Sequence, residues 1–294
     1  MAELFSYIDP RGVETLLTDG TYRLMLGHVG LGMQQAVPVS ERSPTIDGVN
    51  YYGIYTPARE VSLALGMKYD TMDDLTAAER TLRSLVSPYI TSATTYVQTY
   101  GTLKVMRASA SRQIDALCVA YEEVSTDREV FYAKRVLKFW CPDPMWYDPT
   151  AETESFALPV SSGLSIPLSI PVSLAAAAAA GSIYVTNAGD VDTWPTIVID
   201  GPSDNPVITN VTTNKVMDIT QAMDANDYIT IDMEGAAITF WDNSGGTSTS
   251  ILSGMSATSE FWPLVKGENE ISILVDNPAG GSIDVSWYNR YLGA

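Results

Sequence analysis

Glu60-Val61-Ser62-Leu63-Ala64-Leu65-Gly66-Met67-Lys68-Tyr69-Asp70-Thr71-Met72-Asp73-Asp74-Leu75 is the stretch from which the first half of the chain is read. Val61, Leu63, Leu65 and Met67 alternate with Ser62, Ala64, Gly66 and Lys68, and period two predicts a strand with one buried face. Thr71 then stands three residues before Asp74, a capping-box-like start with acids in the first turn. Leu75, Ala78, Leu82, Leu85 and Val86 follow at helical spacing, and Pro88 is the predicted stop. Outward from this strand–helix pair, further strands are expected at 103–106, 114–121 and 130–140. The last two are expected to form a hairpin through Ser125-Thr126-Asp127-Arg128.

The second half reads differently. Short β runs recur at 183–186, 196–200, 207–211, 228–233, 237–241, 271–275 and 283–288, separated by Asn, Asp and Gly clusters. Such spacing without a helical pattern predicts a β-sandwich. Charge divides the chain at the same place: residues 1–150 carry 14 basic and 18 acidic side chains, residues 151–294 carry 3 and 17. A chain of 294 residues also suits two domains. The expected organisation is an N-terminal domain over 1–150, a linker or arm over 151–181, and a C-terminal sandwich over 182–294. The middle segment is rich in proline and holds six alanines, Ala175 to Ala180. It reads either as a linker or, at the alanines, as a turn or two of helix. The fold class is mainly β, of the α+β kind.

Composition excludes more function than it suggests. The net charge of −18 argues against a nucleic-acid-binding surface, because phosphates are repelled, and against anionic membranes. No run of about 18 apolar residues is present, so no membrane insertion is expected. The N-terminal Met1-Ala2-Glu3-Leu4-Phe5 lacks the marks of a secretion signal. Synthesis in a cytoplasm is expected, and the sequon Asn210-Val211-Thr212 then carries little meaning. Two cysteines, Cys118 and Cys141, make neither a disulfide framework nor a four-thiolate zinc site, and one histidine, His28, removes most triad and multi-histidine metal chemistry.

Each remaining chemical candidate has a plainer reading beside it. Asp73-Asp74 and Glu122-Glu123 are acidic pairs of the kind a glycosidase uses. The first pair is explained by a helix start, and the second consists of neighbours on a strand, which face opposite ways. Asp190-Val191-Asp192 and Asp224-Ala225-Asn226-Asp227 offer oxygen ligands but match no calcium loop, and read as turns. Trp194, Trp241, Trp262 and Trp287 either stack on sugar rings or fill the sandwich core and interfaces. His28 reads as structural and Cys118 as a small core residue. Gly245-Gly246 and Gly280-Gly281 match no phosphate loop and read as turns. No catalytic, cofactor-binding or metal-ligating residue is assigned, and no enzyme activity or cofactor is expected.

The order of these motifs resembles the distal tail proteins, or Dit, of long-tailed phages. The strand over 60–69, the capped helix with Asp74, Arg80 and Leu82, and the β run from Gly101 are similar to the family's N-terminal domain. Val136-Leu137-Lys138-Phe139-Trp140-Cys141-Pro142-Asp143-Pro144-Met145-Trp146-Tyr147 is similar to its closing strand and exit. Asn187-Ala188-Gly189-Asp190, Trp194-Pro195-Thr196-Ile197-Val198-Ile199-Asp200-Gly201, Asp227-Tyr228-Ile229-Thr230-Ile231-Asp232 and Leu264-Val265-Lys266-Gly267-Glu268-Asn269-Glu270-Ile271 resemble its C-terminal sandwich of galectin-like or jelly-roll type, as does the end Val285-Ser286-Trp287-Tyr288 with Arg290-Tyr291. The Ala175 to Ala180 run has no counterpart.

The resemblance implies a virion protein of the tail tip: a hexameric ring at the end of the tail tube that leaves a channel for DNA. The implied partners are other copies of the chain, the tube protein, a tail-tip hub or tail-associated protein, the tape measure protein, and receptor-binding protein or host glycan. No sequence-specific nucleic-acid binding is implied. The alternatives from other classes are a carbohydrate-binding adhesion module using the second-half tryptophans and a glycan-degrading enzyme using Glu122. For a ring, the stretch 29–55, with scattered apolar residues and few helix cues, reads as an arm that adds to a neighbour's sheet edge.

Overall fold

A computed structural model describes residues 3–18, 22–42, 47–87, 91–92, 95–98, 100–107, 110–159 and 178–294. The stop assigned to Pro88 and most of the proline-rich segment, 160–177, lie outside the described residues. The chain folds as two compact units, Met1–Pro149 with Tyr291–Ala294, and Thr150–Arg290.

The first unit contains β1 (Leu4–Ile8), β2 (Glu14–Leu16), β3 (Tyr22–Leu24), β4 (Val37–Glu41), β5 (Asn50–Tyr55), β6 (Arg59–Lys68) and α1 (Met72–Leu85). It continues with β7 (Thr91–Ser92), β8 (Thr95–Gln98), β9 (Gly101–Met106), β10 (Ser111–Asp127), β11 (Tyr132–Cys141) and β12 (Trp146–Tyr147). One sheet runs β2-β1-β9-β10-β11-β6-β3, and its neighbours along this path pair antiparallel. In β6, Val61, Leu63, Leu65 and Met67 are buried as the alternation predicts. Ala64 and Gly66 on the opposite face are buried too, where one bare face was expected, because Met25 lies over Gly66.

Thr71 caps α1: its Oγ1 accepts from the Asp74 N–H at 3.2 Å and donates to Asp74 Oδ2 at 2.6 Å. Leu75, Leu82 and Leu85 bury the helix against Phe5, Leu103, Ile114, Leu137 and Phe139 in one core. The β10–β11 hairpin turns later than expected. Ser125, Thr126 and Asp127 still belong to β10, and Asp127 pairs with Tyr132. Asp127 Oδ1 takes the N–H groups of Glu129 and Val130, so the aspartate organises the turn from its first corner.

The second unit contains β13 (Glu152–Ala157), β14 (Ala178–Asn187), β15 (Thr196–Asp200), β16 (Ser203–Asn210), β17 (Lys215–Asp218) and β18 (Ala222–Met223). After these come β19 (Tyr228–Asp232), β20 (Ala237–Asp242), β21 (Thr247–Ser250), β22 (Gly267–Asp276) and β23 (Ser282–Trp287). Six strands run β13-β23-β15-β19-β20-β21, and a second sheet runs β14-β22-β16-β17, with β18 pairing β16. Both contribute to one core, with Ile197, Ile229 and Ile283 from the first sheet and Val185, Ile208 and Ile271 from the second. This is the expected sandwich.

The segment expected as a linker, 151–181, supplies a strand at each end. Glu152–Ala157 pairs with β23, and Ala178, Ala179 and Ala180 pair with β22. The alanines are therefore strand where they are described, because a partner strand decides more than their helix propensity. Gly181 accommodates the neighbouring strand, since a Cβ there would overlap the Phe156 ring.

Candidate functional site

The β4–β5 hairpin forms a two-stranded sheet of its own within the first unit. Successive residues of a strand point to opposite faces. Tyr51 and Tyr52 are each 64% exposed, and Ile54 and Tyr55 63% and 54%, so both faces are bare. Val39 and Val49 extend the same exposed apolar surface. An isolated two-stranded hairpin is marginal in water, and apolar surface of this kind marks an interaction site. This is the stretch read from sequence as an arm.

The root of the arm is fixed. The Val29 N–H donates to the Ser62 carbonyl at 3.0 Å, and the Ser62 N–H donates to the Val29 carbonyl at 2.9 Å. Gly30 sits at φ +93°, and a Cβ there would overlap the Glu60 carbonyl oxygen. Arg59, fully buried, donates Nη1 to the carbonyls of Gly30 (2.7 Å) and Gly32 (2.5 Å), Nε to Pro144 (2.6 Å) and Nη2 to Leu292 (2.8 Å). Burial lowers its pKa, and Cys141 and Asp143 oppose the shift. Residues 291–294 are held in the same unit: the Arg112 guanidinium lies 3.7 Å from the Tyr291 ring centre, and the Ala294 N–H donates to the Leu31 carbonyl at 2.8 Å. None of this clamp was read from the sequence, because its acceptors are backbone groups from distant positions.

The chemical candidates are absorbed by structure. Glu122 pairs with Lys138 at 2.6 Å and Glu123 with Arg83, on opposite faces of β10. Asp73 and Asp74 lie in the first turn of α1. Cys118 and Cys141 are free and buried, and burial pushes their thiols up to about 11 and about 12, so neither is a ready nucleophile at neutral pH. His28 is half-buried, with its ring 6.3 Å from that of Phe5. Among the described residues no cluster of His, Cys, Asp and Glu has the arrangement to hold a metal. A groove of about 410 Å³ is lined by Arg23, Met25, Gly66, Lys68, Asp70 and Tyr132 and has no nucleophile–base pair.

Trp262 and Trp287 lie in the sandwich core, which removes them from any sugar-stacking role. Trp194 packs at the core's edge. Trp241 lies outside the core beside Tyr228. Two of the motifs that carry the resemblance hold buried amides. The Asn187 side chain donates to the carbonyls of Val191 (2.9 Å) and Leu264 (3.1 Å) and accepts from the Gly189 N–H (2.9 Å). Asn269 accepts from the Val265 N–H (3.0 Å) and donates to its carbonyl (2.8 Å). The turn that leads into β22 is thus closed by Asn269 of that strand.

Comparison with known proteins finds likenesses to phage tail components. Residues 188–291 match the family of siphovirus-type tail components, C-terminal domain. Among solved structures, SPP1 Dit (gp 19.1) has 16% identity and a TM-score of 0.66, with 99% of each chain covered. That protein is described as a paradigm of the hub adsorption apparatus in phages infecting Gram-positive bacteria. The phage P2 baseplate in its activated conformation with Ca has 11% identity and a TM-score of 0.52, covering 97% of this chain and 98% of that one. No characterised protein matches by sequence. Residues 188–291 thus match the C-terminal domain of siphovirus-type tail components, and the whole chain shares the fold of SPP1 Dit, the family that its motifs resemble: a β-rich fold with one described α-helix.

Proposed function

We propose that this protein is the distal hub of a phage tail, six copies closing a ring between tail tube and tail tip around a channel for DNA. The observation that carries the reading is the β4–β5 arm, which is bare on both faces and rooted by Arg59. A closed ring needs two different patches per subunit, and a projecting hairpin that seats on the next copy supplies one of them. The net negative charge is compatible with a conduit, since acidic or neutral walls release no counterions on contact with DNA. The function is geometric and needs no catalysis. The tube protein, a hub or tail-associated protein and the tape measure protein are its partners in the virion, and assembly takes place in the host cytoplasm.

The test is the mass and image of the purified chain. Six copies of 31.9 kDa give a ring of about 190 kDa. The double variant Tyr51→Ser/Ile54→Ser, at exposed positions, is expected to keep its fold and fall to a single copy. A wild-type chain that stays a monomer at tens of micromolar, or a variant that still closes rings, overturns the reading.

A further inference from the structure

We propose that the outer face of the six-stranded sheet in the second unit binds neutral saccharides, centred on Tyr228 and Trp241. The strand register sets Asp200, Tyr228, Trp241 and Ser248 side by side across β15, β19, β20 and β21. Ile199, Ile229 and Phe240, next to them in sequence, point into the core, so this row faces out. The Tyr228 and Trp241 rings are nearly parallel, 20° apart with centroids 6.1 Å apart. That is an offset arrangement, which leaves ring surface uncovered. Behind it, Thr230 and Thr239 form the next row of the same face.

The chemistry of this row matches a pyranose. The apolar C–H face of the sugar carries positive partial charge and complements the negative face of an aromatic ring. The Asp200 carboxylate at one end accepts from sugar hydroxyls as a charged, strong acceptor, and Ser248 at the other both donates and accepts. The face carries no cation to attract a phosphate or sulfate polymer. The second unit's cations are Lys215, Lys266 and Arg290. Lys215 belongs to the other sheet and pairs with Glu260, Lys266 lies in a loop 3.8 Å from Asp190, and Arg290 lies outside the six strands. Neutral glycan is therefore the fitting occupant. This inference is independent of the ring, since it concerns the sandwich alone.

The full chain is applied to an array of neutral hexose and N-acetylhexosamine oligosaccharides, with heparin and polylysine as counter-probes. Neutral oligosaccharides are expected to bind, with at least about a tenfold loss in Trp241→Ala and in Tyr228→Ala. Tyr184→Ala, which removes an exposed aromatic from the other sheet, is expected to bind as the wild type does. Melting curves confirm that each variant is folded. Several results overturn the proposal: no neutral signal, binding that survives both aromatic variants, or equal loss in Tyr184→Ala. A signal on polylysine alone also overturns it and assigns the face to a cationic protein segment. A pair that merely braces its strands would lower the melting point without touching any signal.

Discussion

Removing the Arg59 side chain is expected to unfold the first unit selectively. The guanidinium donates to four carbonyls, those of Gly30, Gly32, Pro144 and Leu292. At about 1.5 kcal/mol net for each bond to a charged donor, the gross loss is about 6 kcal/mol. Relief from burying the charge returns several kcal/mol, and the cavity left by alanine removes some of that gain again. The net cost of Arg59→Ala is expected at about 3–5 kcal/mol, the range for breaking a buried charged contact. Arg59→Met keeps the volume, drops the charge and still orphans the acceptors, at about 2–4 kcal/mol. Arg59→Lys keeps the charge but cannot span the fork, and falls near the lower figure. The assay is urea denaturation followed by tryptophan fluorescence, with hydrogen exchange to separate the units. The first unit's transition should move in the order Ala, Met, Lys, and the sandwich's should stay. An Arg59→Ala shift under about 1 kcal/mol, or an equal shift in both units, refutes the clamp.

Other consequences are as direct. Burial raises the pKa of Asp9, but the Arg11 guanidinium and the N–H groups of Val13 and Arg11 outweigh it and hold it below the ordinary 3.8. Its contribution is present above that value and is lost as pH falls through the folded pKa. Asp9→Asn should therefore destabilise the protein at pH 7 and converge with wild type in acid titrations of stability. Cys118 and Cys141 should resist an aromatic disulfide reagent at pH 8 and react on unfolding, since burial holds both thiols near 11 and 12. Fast labelling of the native chain would contradict their placement. Asn187→Ala should cost about 2–4 kcal/mol through lost buried hydrogen bonds, read as a lower midpoint for the second unit.

Elements that satisfy a local rule were legible. β6 showed its period, α1 its cap, β15 and β19 their isoleucines at alternate positions, and β23 its Ile283 and Val285. What local rules do not reach was missed. β13 reads Glu-Thr-Glu-Ser-Phe-Ala and β21 reads Thr-Ser-Thr-Ser, polar edge strands whose pairing comes from a neighbour. Ala178 to Ala180 favour helix alone and are strand against β22. The Arg59 clamp and the Asn187 and Asn269 brackets bind main-chain atoms, which every residue carries, so no side-chain pattern announces them. Of the candidate surfaces, the arm was legible as a region lacking helix cues. The Tyr228–Trp241 row needed the register, which also separated Trp241 from the core residues Trp262 and Trp287.

The return of residues 291–294 to the first unit has a temporal meaning. Arg59 meets Leu292 across 233 positions of chain. During translation the ribosome must deliver the whole sandwich before that carbonyl exists. Domains ordinarily mature in the order they emerge, but the first unit receives its last anchor only after residues 150–290 have been made. A nascent chain thus completes the Arg59 fork only after the sandwich has been synthesised.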